Sequence, residues 1–339
     1  MSQILSADAA MARAIELARL GLGKTFPNPI VGAVITTAAG EFISEGFHEG
    51  ADHAEVVAIN SAKEIPTGSI IYVTLEPCNH HGKTPPCTAA IIEAGISKVV
   101  YAVSDPNPVA AGGAQHLITA GVAVVAGISA EEAAFANRAW LTKVVKDRPR
   151  ITWKIASTMD GKVTASDGSS KWITGEIARA DVAKMRSQVD AIVTTTKTVE
   201  SDDPLLTSKG LGKNPVRIVV GEREIAANSQ ILNADAETLI IKSRSSKELI
   251  THANVRGFNE LLIESGPTFG TALLSEDLID EIVLFQAPTF LGSGTPSISD
   301  LGITNISGRL DFEIADVEVI GADLKITLIK SENTLAGGR

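Results

Sequence analysis

The chain has 339 residues, 44% of them hydrophobic, which is enough to bury sizeable cores and fits two ordinary domains better than one. Its 40 acidic against 30 basic residues give a net charge of −10, which disfavours a nucleic-acid partner, because phosphate backbones are bound through concentrated Lys and Arg. No apolar run approaches the roughly 20 residues of a membrane helix, and the N-terminus lacks a basic start before an unbroken apolar stretch, so a soluble cytoplasmic protein without a membrane partner is expected.

In chain order, apolar residues at helical spacing predict a helix over 7–20, stopped by Gly21. Strands follow at 30–37 and 40–47, then a helix at 53–62 and a buried strand at 70–75. A helix over 84–94 would carry Pro85 and Pro86 in its first turn, where a missing N–H costs least. A strand at 98–103, a helix at 113–120 and a strand at 122–126 complete this half. Asp147-Arg148-Pro149-Arg150 is polar and contains proline, so it reads as a linker between domains at 1–147 and 148–339. Beyond it, strands are expected at 151–156, 191–195, 216–220, 238–241, 261–264 and 281–286. A helix over 174–188 would be N-capped by Thr174. Strands alternating with helices imply layered α/β domains, and no internal repeat is visible.

Cys78 and Cys87 are the only cysteines. In a reducing cytoplasm a close pair more often binds metal or acts in catalysis than forms a disulfide, with two free core cysteines as the bland alternative. Spacing decides. His53-Ala54-Glu55 opens one predicted helix, Glu76-Pro77-Cys78 follows a strand, and Cys87 belongs to the next helix. This is the H-x-E…P-C…C order of zinc deaminases. One imidazole and two thiolates hold zinc tetrahedrally and leave a fourth position for water, whose pKa falls towards ~7. Glu55 lies two residues from a ligand, close enough to carry protons from the water to a ring nitrogen and a departing amine. A purely structural zinc needs a fourth protein ligand, which His80 or His81 could supply, though Glu55 would then have no reason to accompany His53.

Residues 79–86 separate the cysteines, a longer insert than the two residues of the short signature. With that insert, ending Gly82-Lys83-Thr84-Pro85-Pro86-Cys87, the sequence resembles the bifunctional deaminase–reductase family of riboflavin biosynthesis. Thr25-Phe26-Pro27-Asn28-Pro29, Gly46-Phe47-His48 and Asp105-Pro106-Asn107-Pro108 extend the resemblance. It implies a cytidine-deaminase-like α/β/α sandwich with one zinc ion per chain on His53, Cys78 and Cys87, and Glu55 as the catalytic proton carrier. It also implies that Asn28 and His48 contact base or sugar, and that Lys83, Asp105 and Asn107 help hold the ribosyl phosphate end. Apart from the resemblance, Lys83 offers a cation to an anionic substrate and Asn28 is an amide presented rigidly between prolines. Asp105 and Asn107 read equally well as ordinary turn residues.

From its residues alone the second half is an α/β domain without a G-x-G-x-x-G after a strand. Ser169-Ser170-Lys171-Trp172-Ile173-Thr174 leads into a helix whose N-terminus favours an anion. Gly292-Ser293-Gly294 and Gly266-Pro267-Thr268 each read singly as a flexible turn. The run from Lys154 to Asp160-Gly161, then Ser170-Lys171-Trp172-Ile173-Thr174, then Asp202-Asp203-Pro204, resembles the reductase domain of the same family. That domain is similar to dihydrofolate reductase and uses NADPH. The resemblance implies that Ser170, Arg186, Leu206 and Glu264 face substrate. It places Ala156, Trp172, Thr198 and Asp202, with Gly266, Pro267 and Thr268, towards the cofactor, and makes Lys154 a candidate for assisting the reduction. Three departures stand out. Thr195-Thr196-Lys197-Thr198-Val199 replaces a glycine-containing G-x-x-T-V, Glu264-Ser265-Gly266 replaces E-G-G, and the arginine expected after Leu206 is displaced or replaced by Lys209. Side chains in place of glycine would narrow the cofactor site, while Lys197 could instead reach a phosphate.

The resemblance runs from about Ala7 to Ile329 and implies sequential action on a small phosphorylated pyrimidine. A diaminopyrimidinone ribosylamine phosphate would first be deaminated by hydrolysis, and NADPH would then reduce its ribosyl chain to ribityl. The alternative is a nucleoside or RNA-base zinc deaminase with a non-catalytic, ligand-binding second domain, which the acidic balance disfavours. A structural zinc beside a ligand-sensing domain is the non-enzymatic reading. Two-domain chains with separate sites often self-associate, so a homo-oligomer is left open.

Overall fold

A computed structural model describes residues 4–80 and 85–330. The chain divides into two compact units between Asp147 and Arg148. The first contains α1 (Ala7–Arg19), β1 (Gly32–Thr36), β2 (Phe42–Phe47), α2 (Ala54–Ser61), β3 (Ile70–Leu75), α3 (Cys87–Glu93), β4 (Lys98–Val103), α4 (Gly113–Thr119), β5 (Ala123–Ala126), α5 (Ala130–Ala136) and α6 (Arg138–Lys146). Its sheet runs β2-β1-β3-β4-β5, with β1 antiparallel to both neighbours and β3, β4 and β5 parallel.

Period-two alternation decides which face each strand residue serves. Val34, Tyr72 and Val100 pack with Ala10, Met11 and Ala14 of α1 and Ala133 of α5. Their neighbours Ala33, Ile35, Ile71, Val73 and Val99 pack on the other face with Ala54 and Ala58 of α2, Ile91 of α3 and Leu117 of α4. The result is an α/β/α sandwich. Gly46 lets α2 lie directly on β2: a Cβ there would come within 2.6 Å of the Ala58 nitrogen and 2.7 Å of the Ala54 oxygen. That close approach fixes the helix which follows His53. Contrary to expectation, Pro85 and Pro86 precede α3 rather than enter it; Pro86 is the N-cap and Cys87 the first helical residue.

The second unit contains β6 (Arg150–Thr158), β7 (Lys162–Thr164), α7 (Glu176–Gln188), β8 (Ala191–Thr195), α8 (Thr196–Asp202), β9 (Val216–Val220), β10 (Thr238–Ile241), α9 (Ser246–Val255), β11 (Glu260–Ile263), α10 (Pro267–Ser275), β12 (Glu281–Ala287), β13 (Thr295–Pro296), β14 (Phe312–Ile320) and β15 (Asp323–Lys330). Eight strands form one sheet in the order β10-β9-β8-β11-β6-β12-β15-β14. The first six are parallel, and β15 and β14 close one side as an antiparallel hairpin. A short β7–β13 pair stands apart. The chain returns from β10 to insert β11 between β8 and β6, so the carboxyl ends of three strands distant in sequence meet, where open α/β sheets bind ligands.

Three expectations are corrected here. The division falls where the linker was expected, but Arg148 and Arg150 are paired with acids of the second unit rather than lying in a free connection. Arg148 donates to both oxygens of Asp280 at 2.6 and 2.8 Å, and buried Arg150 donates to Glu281 at 2.6 Å and Glu260 at 3.3 Å, so this polar segment begins the second core. Thr174 does not cap α7. Gly175 is the N-cap, and its N–H donates to Asp323 Oδ2 at 2.7 Å. Gly266-Pro267-Thr268 is not an isolated turn but the start of α10, with Gly266 as N-cap and Pro267 in the first turn. Among the described residues no helix is long and apolar enough to cross a membrane.

Candidate functional site

β3 ends by delivering Glu76-Pro77-Cys78 to the point where α2 and α3 begin, with His53 as the N-cap of α2 and Cys87 opening α3. His53 Nδ1 lies 3.1 Å from Cys87 Sγ and 3.5 Å from Cys78 Sγ, and all three ligand atoms fall within 4.8 Å of one another. Bond lengths of about 2.0 Å to nitrogen and 2.3 Å to sulfur separate tetrahedral N and S ligands by roughly 3.5 Å, so this donor set fits zinc. No further His, Cys, Asp or Glu joins the cluster among the described residues, His80 included, and His81 lies outside them. Three protein ligands leave a coordination position for a reacting group.

The three ligand side chains share protons among themselves. Hydrogen bonding with Cys87, then with His53, draws the Cys78 thiol down, while the same contact and burial push Cys87 up. The bond to Cys78 raises the His53 imidazole. Glu55 is 3% exposed, and burial pushes its carboxyl up to about 7. The loop carrying Cys78 is held by Glu76, which sequence reading passed over. Its Oε1 accepts the Ala114 N–H at 2.9 Å and its Oε2 the Asp105 N–H at 3.3 Å. An acid placed directly between an apolar strand and Pro-Cys was the available signal. Gly113 completes the support, since a Cβ there would come within 1.8 Å of the Pro77 oxygen.

Asn28 and His48 flank the cluster. The His48 and His53 rings meet edge to face at 5.5 Å. His48 Nδ1 lies 3.0 Å from the Asp52 carbonyl, which can only accept, so Nδ1 carries the proton. Its Nε2 therefore accepts from the exposed Asn28 amide at 3.4 Å. Burial, then the nearby His53, lowers the His48 pKa, in the direction of the neutral ring. Asp105 Oδ1 accepts the Asn107 N–H at 2.8 Å and Asn107 Oδ1 accepts the Val109 N–H at 3.1 Å, so each spends one oxygen on turn geometry. Burial pushes Asp105 up to about 6. Lys83 lies outside the described residues.

A second centre forms in the other unit. Ile263 of β11 pairs with Trp153 of β6 and Val193 of β8, which sets Glu264 beside Lys154. Lys154 Nζ is 3.4 Å from Glu264 Oε2, and Arg186 from the last turn of α7 grips both carboxylate oxygens at 2.6 and 2.9 Å. Burial opposes ionisation of Glu264, but Arg186 and Lys154 outweigh it and hold the carboxyl at about 2. Arg186 Nη1 also donates to the Thr207 carbonyl at 3.3 Å, beside buried Leu206. Lys154, Arg186, Glu264 and Leu206 thus gather as one group.

Of the remaining expected residues, Ser170, Trp172, Thr198 and Asp202 lie on other segments, and among the described residues no hydrogen bond or ion pair ties them to Glu264. Ala156 follows Lys154 by two positions on β6, hence on the same face. Trp172 has a left-handed φ of 70° and an exposed indole, with the Arg179 guanidinium 4.1 Å above it. Thr195, standing in place of a family glycine, N-caps α8 by accepting the Thr198 N–H at 3.2 Å. Lys197 is exposed in the first turn of α8, and Asp202 accepts from Ser201 at 2.9 Å. Gly266 has nothing within 4 Å of where a Cβ would sit. An open glycine at a helix start and an exposed flat indole fit a phosphate-bearing, aromatic cofactor such as NADPH.

Comparison with known proteins supports both halves. Residues 5–103 match the cytidine and deoxycytidylate deaminase zinc-binding region, and residues 149–326 match the RibD C-terminal domain. Riboflavin biosynthesis protein RibD of Mycobacterium tuberculosis is 42% identical over 337 residues, covering 97% of this chain and 99% of its own. The Escherichia coli RibD is 34% identical, with 94% and 98% covered. A solved Thermotoga maritima structure, a diaminohydroxyphosphoribosylaminopyrimidine deaminase/5-amino-6-(5-phosphoribosylamino)uracil reductase, is similar with a TM-score of 0.88 and 33% identity over 96% of this chain and 98% of that one. Acinetobacter baumannii RibD gives a TM-score of 0.88 at 36% identity, covering 96% and 99%. Matches in both halves disfavour a nucleoside or RNA deaminase with an inert second domain. The chain belongs to the RibD family of bifunctional riboflavin-biosynthesis enzymes, with a zinc-binding deaminase domain followed by a reductase domain of the kind that uses NADPH.

Proposed function

We propose that this chain acts twice on one phosphorylated ribosylaminopyrimidine, releasing ammonia by hydrolysis in its first unit and reducing the ribosyl chain to ribityl in its second. What supports this most is the meeting of a three-ligand metal cluster with a buried, proton-holding carboxylate, Glu55, at the starts of α2 and α3.

Zinc on His53, Cys78 and Cys87 supplies a Lewis acid and an acidified water. Glu55, with its carboxyl near 7, takes and returns a proton around neutrality, serving the water, the ring nitrogen and the departing amine in turn. Neutral His48 fixes the Asn28 amide, which leaves the Asn28 carbonyl oxygen to accept from the base or sugar. Asp105 and Asn107 shape the loop towards the ribosyl phosphate end, and Lys83 takes its share of that role on chemistry alone.

In the second unit NADPH supplies the hydride. Lys154 Nζ is the proton donor to the opening sugar ring, and Glu264 and Arg186 orient it together with the sugar hydroxyls. Leu206 and Ser170 line the substrate side. Ala156, Trp172, Thr198, Asp202 and the Gly266-Pro267-Thr268 start of α10 hold the cofactor. The reading includes a reducing cytoplasmic setting, in which the Cys78 and Cys87 thiols stay available as ligands.

Replacing Glu55 tests the deaminase half. Glu55→Gln should retain zinc but release ammonia slower by about 10²–10⁴-fold, the usual worth of a general acid–base group. Unchanged ammonia release would overturn Glu55's role. For the second half, the deaminated intermediate should oxidise NADPH, and no oxidation at saturating cofactor would overturn the reductase assignment.

A further inference from the structure

Arg217, on β9, is fully buried at 0% exposure, yet no carboxylate accepts from it among the described residues. Its Nη1 donates to the Leu205 carbonyl at 3.2 Å and to Asn233 Oδ1 at 2.9 Å, and its Nη2 to the carbonyls of Asn233 and Ala236. Its Nε has no partner among the described residues. A buried guanidinium hydrogen-bonded only by neutral oxygens, with Asp235 acting through its charge alone, is expensive, and a plain core would be better filled by an apolar side chain. What it grips is therefore informative.

Leu205 lies in a segment, 203–209, in which the backbone is held against preference at three positions. Leu206 has φ of 49°, and Asp203 and Lys209 have φ of 43° and 53°, all left-handed without being glycine. Such conformations persist only where surroundings impose them, and they gather at functional sites. Two arginines hold the segment on either side of Leu206: Arg217 at the Leu205 carbonyl and Arg186 at the Thr207 carbonyl. Arg186 is also the residue clamped onto Glu264.

We propose that Arg217 is a positioning residue for the reductase site, fixing the 205–207 segment and through it the placement of Arg186 and Glu264. The proposal rests on reading Lys154, Glu264 and Arg186 as that site. Arg217 acts through the backbone and touches neither substrate nor cofactor.

The test is steady-state NADPH oxidation by the full-length protein against varied 5-amino-6-(5-phosphoribosylamino)uracil. Arg217→Met should raise KM about tenfold and lower kcat less than about threefold, because misplacement weakens substrate binding. Simple loss of folded enzyme would instead lower kcat at unchanged KM. Arg217→Lys keeps the charge but not the fork, and should raise KM about threefold. Combined with Arg186→Lys, Arg217→Met should add less than about twofold to the single Arg186→Lys effect, since both act on one segment. A KM for Arg217→Met within about twofold of wild type, or fully additive effects, overturns the proposal. Should Arg217→Met fail to fold, the KM of Arg217→Lys decides, and failure of both to fold makes Arg217 a residue of the fold alone and also overturns it. Glu264→Gln separates the two levels. If it leaves kcat and KM unchanged, the site reading itself fails. If it is impaired while Arg217→Met is normal, only the role of Arg217 fails.

Discussion

The metal cluster and the Glu264 centre both form where strands end, but a bound ion completes the first and internal charges complete the second. His53 and Cys87 are 34 residues apart, whereas Arg186 and Glu264 are 78 apart and Lys154 belongs to the first strand of its sheet. A metal demands particular donor atoms at particular distances, so its site leaves a recognisable run of residue types. An ion-paired centre demands only complementary charge, and its partners meet through the parallel register of β6 and β11. The two centres should therefore respond differently to loss of metal and to loss of charge.

Metal removal should have the largest effect. Stripping zinc with a chelator, or replacing Cys87 with Ser, should abolish ammonia release while NADPH oxidation with the deaminated substrate stays within about twofold of its starting rate. Parallel assays on one sample, with zinc content measured, check this. Loss of both activities together would break the separation of the two centres.

Charge removal should come next, and only in the second unit. Glu264→Gln leaves partly buried Lys154 and Arg186 beside a neutral amide, a change expected to cost on the order of 3 kcal/mol in urea unfolding of that unit. The acid response sharpens the point. The Glu264 carboxyl is held at about 2 against an ordinary 4.5, so protons bind the unfolded chain first. Its stabilisation is complete above 4.5 and is lost as pH falls through the window from 4.5 to 2, a total of about 3 kcal/mol. Glu264→Gln should flatten that part of the curve. An unaltered acid limb in the variant would show that other carboxylates carry it.

Much of the first unit was legible because its signals are local. The donors of the zinc site lie at the ends of elements whose apolar character is plain, as in the unbroken run Ile70, Ile71, Tyr72 and Val73 of β3. The second centre was legible only through resemblance, since nothing near Lys154 announces Glu264. Glu76 escaped notice because its value lies in accepting two distant backbone N–H groups. The β14–β15 hairpin shows a different obstacle. In β14 the apolar positions Phe312 and Ile314 give way to Val317 and Val319, a shift of phase at the bulge between Ile314 and Asp316. Along β15, Leu324, Ile326 and Leu328 alternate cleanly, so that strand was available to sequence reading. Arg148 and Arg150 misled in the opposite sense, because charge in a sequence does not reveal a buried partner such as Asp280 or Glu281.

The smallest expected effect concerns Thr195, where this chain departs from the family's glycine. A bulkier residue beside a cofactor suggests obstruction, but here the Thr195 hydroxyl turns back to Thr198, 3.2 Å from its N–H and 3.0 Å from its hydroxyl. The side chain therefore caps α8 and also engages one of the residues proposed to meet NADPH. Thr195→Ala should cost about 1 kcal/mol in stability through the lost cap, and Thr195→Gly only a few tenths, because glycine is itself tolerated at that position. If the hydroxyl is tied back as described, Thr195→Gly should change the KM for NADPH by less than about twofold. A large fall in that KM would mean instead that the threonine narrows the cofactor site, and that its cap on α8 comes at the expense of binding.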